Sequence, residues 1–113
     1  MSDVLNKASQ LHDVLAEADL PPGGQYVWQH GLDRVLVCRS LDGQVYAMRD
    51  LCPHARQPLA GGTVDGVAIT CPKHGARFDL RTGDPLNAVC QRALSMLELR
   101  IESGRIQILL PTS

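Results

Sequence analysis

Beyond its first twenty residues the chain is a succession of short apolar runs broken by glycine, proline and aspartate. Gln25 to His30 reads as a strand, Gly31-Leu32-Asp33 as a turn, and Arg34 to Ser40 and Gln44 to Arg49 as strands flanking Asp42-Gly43. An Asp-Gly pair between two such runs signals a hairpin, because glycine accepts a positive φ at little cost. Asp65-Gly66 joins a second hairpin, whose outgoing strand, Val67 to Thr70, runs straight into Cys71. Arg77 to Leu80 is a brief strand ending at Arg81-Thr82-Gly83-Asp84-Pro85. From Leu94 to Glu102 the pattern alternates, Leu97, Leu99 and Ile101 against Glu98, Arg100 and Glu102, and Ser103-Gly104 then turns it into Arg105 to Leu110. Many short strands at this spacing predict an all-β fold, an antiparallel sandwich or barrel.

The opening segment carries two competing patterns. Val4, Ala8, Leu11, Leu15 and Ala18 share one face at helical spacing, while His12 to Glu17 equally suits a short strand. Asp19-Leu20-Pro21-Pro22-Gly23-Gly24 stops either element, since two prolines and two glycines cannot continue it.

At 113 residues the chain is long enough for one core and too short for two ordinary domains, so residues 1–113 are expected to form a single domain. A net charge of -1 lacks the basic excess of a nucleic-acid binder, and no apolar run is long enough to span a bilayer. Met1 to Lys7 has no basic start or apolar run of the secretory kind. The chain is therefore expected in the cytoplasm, where its four cysteines would stay reduced rather than build a disulfide framework.

The chemistry concentrates between Cys52 and His74. Cys52-Pro53-His54 is followed, after sixteen intervening residues, by Cys71-Pro72-Lys73-His74-Gly75. Three readings compete: a zinc site, a two-iron cluster, and four unrelated core residues. Structural zinc usually draws both cysteines from one Cys-x2-4-Cys knuckle, whereas each loop here offers one Cys and one His. Two sulfide-bridged irons need two ligands apiece, and a mixed cluster places both thiolates on one iron and both imidazoles on the other. Each loop would then grip both irons.

In these residues, and in the run Gly75-Ala76-Arg77-Phe78-Asp79-Leu80-Arg81-Thr82-Gly83, the chain resembles the Rieske iron–sulfur proteins. It is most similar to the small Rieske-type ferredoxins of multicomponent aromatic-ring dioxygenases, from about Leu11 to Leu110. The resemblance implies an antiparallel β-sandwich or incomplete barrel base with a small two-loop cluster-binding subdomain, here about residues 50–85. It implies one [2Fe-2S] cluster, with Cys52 and Cys71 on one iron and His54 and His74 on the other. Gly83-Asp84-Pro85 matches the family's proline loop beside the cluster, and the match favours a strand near Val14.

High-potential respiratory members carry a further cysteine on each loop, joined as a disulfide, where this chain has Gln57 and Lys73. They also direct a Ser and a Tyr hydroxyl at cluster sulfurs, where this chain has Ala76 and Phe78. A donor pointed at sulfur stabilises the added electron, so the expected potential lies at the low end of the Rieske range of about -150 to +300 mV.

A cluster whose irons are all coordinated by protein and sulfide has no open position for substrate. The remaining histidines, His12 and His30, show no spacing that pairs them with a carboxylate to hold a mononuclear iron. The resemblance therefore implies an electron carrier, not an enzyme, working in aromatic hydrocarbon catabolism. It would link an NAD(P)H-dependent flavoprotein reductase to a terminal oxygenase, with contacts near His54, His74, Arg56 and Lys73. A permanently bound small subunit of another reductase or oxidase is the alternative, and a zinc-holding structural or regulatory module a third reading. Cys38 and Cys90 read as buried, inert thiols and Trp28 as a partly packed core residue.

Overall fold

The computed structural model describes residues 9–54 and 56–111. Their strands form three antiparallel sheets. One sheet pairs β1 (Ser9–Ala16) with β10 (Arg105–Pro111), and β10 in turn with β9 (Leu99–Glu102). The second runs in the order β2 (Gln25–His30), β3 (Asp33–Arg39), β4 (Val45–Arg49) and β8 (Met96–Leu97). The third is small: β5 (Thr63–Asp65), β6 (Ala68–Thr70) and β7 (Arg77–Asp79). Among the described residues the only helical element is a 3-10 turn at Glu17–Asp19, and no helix is long and apolar enough to cross a membrane.

The four-stranded sheet is the middle layer, which explains the run Val35-Leu36-Val37-Cys38. Side chains alternate faces along a strand, yet all four are fully buried, so both faces of β3 are covered. Val35 and Val37 join Ala47, Leu15, Ile106 and Ile108 in a core against the β1–β10–β9 sheet. Leu36, Cys38 and Met48 face the other way, into a core with Cys52, Leu59, Ile69, Cys71, Phe78 and Leu80. Burial pushes the Cys38 thiol up to about 12, so it behaves as the inert apolar group the sequence suggested. Trp28 is half-buried against the first of these cores.

The opening segment is a strand, not a helix. Leu11, His12 and Leu15 follow the register of β10, opposite Leu109, Ile108 and Ile106, with a shift between Asp13 and Leu15. That pairing satisfies backbone groups that an isolated helical turn could not, and Val4 and Ala8 lie outside the described residues. The expected strand from Leu94 to Glu102 is a second correction. Met96 and Leu97 pair with Met48 and Ala47 of β4, whereas Leu99 to Glu102 pair with β10. At the crossing the Glu98 carbonyl accepts the Leu109 amide at 2.9 Å. The chain changes sheets without breaking its two-residue period, so the pattern alone could not show the switch.

Candidate metal centre

Both loops that carry the Cys/His pairs have the same backbone. In the first, the Cys52 amide donates to the Gln57 carbonyl at 2.7 Å and the Arg56 amide to the Cys52 carbonyl at 2.8 Å. In the second, the Cys71 amide donates to the Ala76 carbonyl at 2.7 Å and the Gly75 amide to the Cys71 carbonyl at 3.2 Å. Offsets of four and five residues thus recur. So does the left-handed residue that closes each turn, Arg56 at φ 54 and Gly75 at φ 79. Pro53 and Pro72 occupy positions that donate no hydrogen bond in either loop, where proline's missing N–H costs nothing. The histidines enter at different offsets, two residues after Cys52 and three after Cys71.

This arrangement sorts the donors by depth. Cys52 and Cys71 are 0% and 2% exposed, while His54 and His74 lie on the surface. The two imidazoles meet edge to face, ring centroids 5.0 Å apart and planes at 75°. Among the described residues no three His, Cys, Asp or Glu side chains converge on one point as a single ion would require. Depth divides the four into two buried thiols and two surface imidazoles, and a binuclear cluster asks only two protein ligands of each iron. The donor set fits such a group and not a tetrahedral zinc site.

Each loop is anchored by a side chain that the sequence did not single out. Asp50, with its side chain fully buried, accepts the Leu59 and Ala60 amides at 2.8 and 2.7 Å and the Arg34 guanidinium at 2.6 Å. These bonds close the segment carrying Cys52 and His54 onto β3. Asn87 does the same for the second loop: its Nδ2 donates to the Gly75 carbonyl at 2.9 Å, and its Oδ1 accepts the Arg77 amide at 3.3 Å. Leu86 and Pro85 lie alongside, with the Leu86 amide on the Arg77 carbonyl and Pro85 bridged to Phe78. Gly83 holds this loop against the middle sheet at φ +86, where an added Cβ would sit 2.9 Å from the Leu94 carbonyl oxygen. Ala76 and Phe78 are both fully buried.

Among the other sequence candidates, Arg56 and Lys73 are exposed on the first and second loops. Arg56 shares a groove with His54 that also involves Arg92, a residue the sequence did not flag. His12 and His30 do meet each other, centroids 4.4 Å apart, beside the Trp28 ring.

Three sheets and two matched Cys/His loops define an iron–sulfur domain, and residues 10–100 match the Rieske [2Fe-2S] domain: the chain belongs to that family. Within it the chain is a Rieske ferredoxin, an electron carrier with one Rieske [2Fe-2S] cluster, homologous to the ferredoxin components of aromatic dioxygenase systems. It is 35% identical over 96 residues to ferredoxin CarAc of Metapseudomonas resinovorans, covering 84% of this chain and 89% of the relative. The ferredoxin of carbazole 1,9a-dioxygenase from Nocardioides aromaticivorans superposes with a TM-score of 0.81 at 30% identity, covering 91% of this chain and 99% of that one. A chain in a complex of reduced oxygenase and oxidized ferredoxin of carbazole 1,9a-dioxygenase gives 0.80 at 31% identity, covering 87% and 91%.

Proposed function

We propose that Cys52 and Cys71 hold one iron as thiolates and His54 and His74 the other through ring nitrogens. In this reading the chain passes single electrons from an NAD(P)H-dependent flavoprotein reductase to a terminal ring-hydroxylating oxygenase. The cluster supplies a one-electron couple; the protein's part is to bury its sulfur side and present its imidazole side. The observation that carries the proposal is the depth order of the four donors, buried thiols under two surface imidazoles. An electron carrier needs such an asymmetry. Its redox group must be shielded from solvent yet come within a short distance of a partner's, and the edges of His54 and His74 offer that path.

The partner assignment draws support from relatives that are ferredoxin components of dioxygenase systems, one of them found in complex with its oxygenase. Residues 1–113 are read as one cytoplasmic domain, with a cluster-binding subdomain at about residues 50–85. The test is EPR of the reduced purified protein together with iron and acid-labile sulfide analysis. A rhombic Rieske signal with two irons and two sulfides is expected. A colourless, EPR-silent protein holding one zinc would overturn the ligand assignment. Reconstitution with a flavoprotein reductase and an oxygenase, with turnover dependent on this chain, then tests the route.

A further inference from the structure

Ten basic residues lie in the described structure, and six of them pair with a carboxylate: Arg34, Arg39, Arg49, Arg77, Arg81 and Arg105. Among the described residues the other four, Arg56, Lys73, Arg92 and Arg100, have no such partner. Chance would scatter them. Instead Arg56 and Lys73 sit on the two Cys/His loops, and Arg92 reaches the same end from a segment outside both.

Arg56 and Arg92 flank a groove of about 390 Å³ whose wall includes His54 and Pro53. No carboxylate lines it. Its other wall carries Val89, 37% exposed, over the buried Cys90, whose Sγ accepts the Arg92 amide at 3.4 Å and bends that segment back. Two guanidinium groups beside an apolar surface suit a carboxylate on a short aliphatic stem: the charge takes planar N–H donors while the methylenes lie on Val89 and Pro53. The net charge of the whole chain is -1, so this positive groove is a local feature set against the overall sign.

We propose that this groove is the docking site for an acidic loop of the protein's redox partner, with Asp or Glu side chains seated between Arg56 and Arg92 so that the partner approaches at the His54 edge. The proposal rests on the electron-carrier reading and names the chemistry of the partner's face. It also gives Arg92 a specific role. Lys73, on the other loop, widens the positive field and does not line the groove. Complementary charge of this kind acts mainly on the association rate and fades with added salt.

The experiment uses the reduced holoprotein, with its cluster first verified by visible absorption and EPR, so a failure of the cluster reading is seen before any rate is measured. Oxidation by ferricyanide, an anion, is followed by stopped flow from about 10 to about 200 mM ionic strength, with hexaammineruthenium(III) as the cationic counterpart. The ferricyanide rate is expected to fall with salt despite the net negative charge, and the cationic rate not to. Arg56→Glu with Arg92→Glu should slow ferricyanide about tenfold at low salt. Arg100→Glu, with the same charge change per substitution but on the β9 strand, should stay within about twofold. Poly-L-glutamate should slow the wild-type reaction and leave the Arg92→Glu variant unchanged. Equal effects of Arg92→Glu and Arg100→Glu would overturn the groove. Sulfate matching poly-L-glutamate at equal ionic strength would overturn the acidic-loop occupant.

Discussion

One carboxylate oxygen of Asp50 accepts the Arg34 guanidinium at 2.6 Å, while the other takes the amides of Leu59 and Ala60. A loop of this size, holding a buried Cys52 and a surface His54, has few backbone partners of its own. The Cys52–Gln57 and Arg56–Cys52 bonds close its inner turn, and Asp50 closes the outer one. The carboxylate therefore stands in for a strand pairing that the segment after β4 lacks.

Removing it should cost more than removing its cation. Asp50→Ala leaves two amides without their acceptor, a loss of about 3 kcal/mol in folding stability. The Arg34 side chain is 46% exposed, and Arg34→Ala should cost only about 1 kcal/mol because water screens and replaces the pair. Urea unfolding of the holoprotein gives both values, and the rate of visible bleaching under chelator should rise more for Asp50→Ala. Equal losses for the two variants would show that the ion pair, not the amide contacts, is what Asp50 contributes.

The second loop allows a comparison of side-chain and backbone anchors. Asn87→Ala removes two hydrogen bonds at an exposed position and should cost about 1 kcal/mol. Gly75→Ala meets nothing in the surrounding space but must hold φ at 79, a penalty of about 1 to 2 kcal/mol. The equivalent site in the first loop already carries a non-glycine residue, Arg56 at φ 54, so Arg56→Gly should be tolerated or slightly stabilising. Thermal melts of the three variants would order them; a marked loss for Arg56→Gly would refute the equivalence of the two turns.

Much of this was legible in the residues, for reasons that differ by element. The β3 and β4 hairpin was marked by Asp42-Gly43, and the two matched loops by Cys/His pairs with unlike internal spacing. The sheet switch at Glu98 was hidden because crossing sheets kept the alternation intact. Asp50 and Asn87 were hidden because the loop groups they fasten are backbone amides and a carbonyl, which leave no trace in residue identity. Arg92 was hidden for another reason: its relation to His54 exists only once the segment after Pro85 has folded back beside the first loop.

Ala76 and Phe78, both fully buried, bear on the potential. The resemblance drawn from the sequence matches them to positions where high-potential members of the family carry hydroxyl donors. A hydrogen bond to a charged acceptor contributes about 1.5 kcal/mol, or about 60 mV for a one-electron couple. Ala76→Ser and Phe78→Tyr should each raise the potential by about that amount, from a wild-type value in the lower part of the range of about -150 to +300 mV. Redox titration with EPR detection checks the shift and its sign. A fall in potential, or a wild-type value near the top of the range, would refute the assignment of these two positions.

Cys38 makes stability depend on pH at the alkaline end. Burial among Leu36, Met48 and the loop core raises its thiol from 9.0 to about 12. Between those values the unfolded chain has released a proton that the folded chain keeps. Stability then falls as pH rises, by up to about 1.4 kcal/mol per unit, and is fully present below about 9. Cys38→Ala has no such group. At neutral pH it should be the less stable protein, having left a small cavity, but the gap should close as pH climbs from about 9 to about 11. Tyr46, which burial also pushes up, is coupled to Cys38 by charge, so both proteins are compared in a Tyr46→Phe background. Urea unfolding of the two proteins at stepped pH measures the gap directly. A constant difference through that window would mean that the thiol ionises without disturbing the core, against the burial of its side chain between the middle sheet and the two loops.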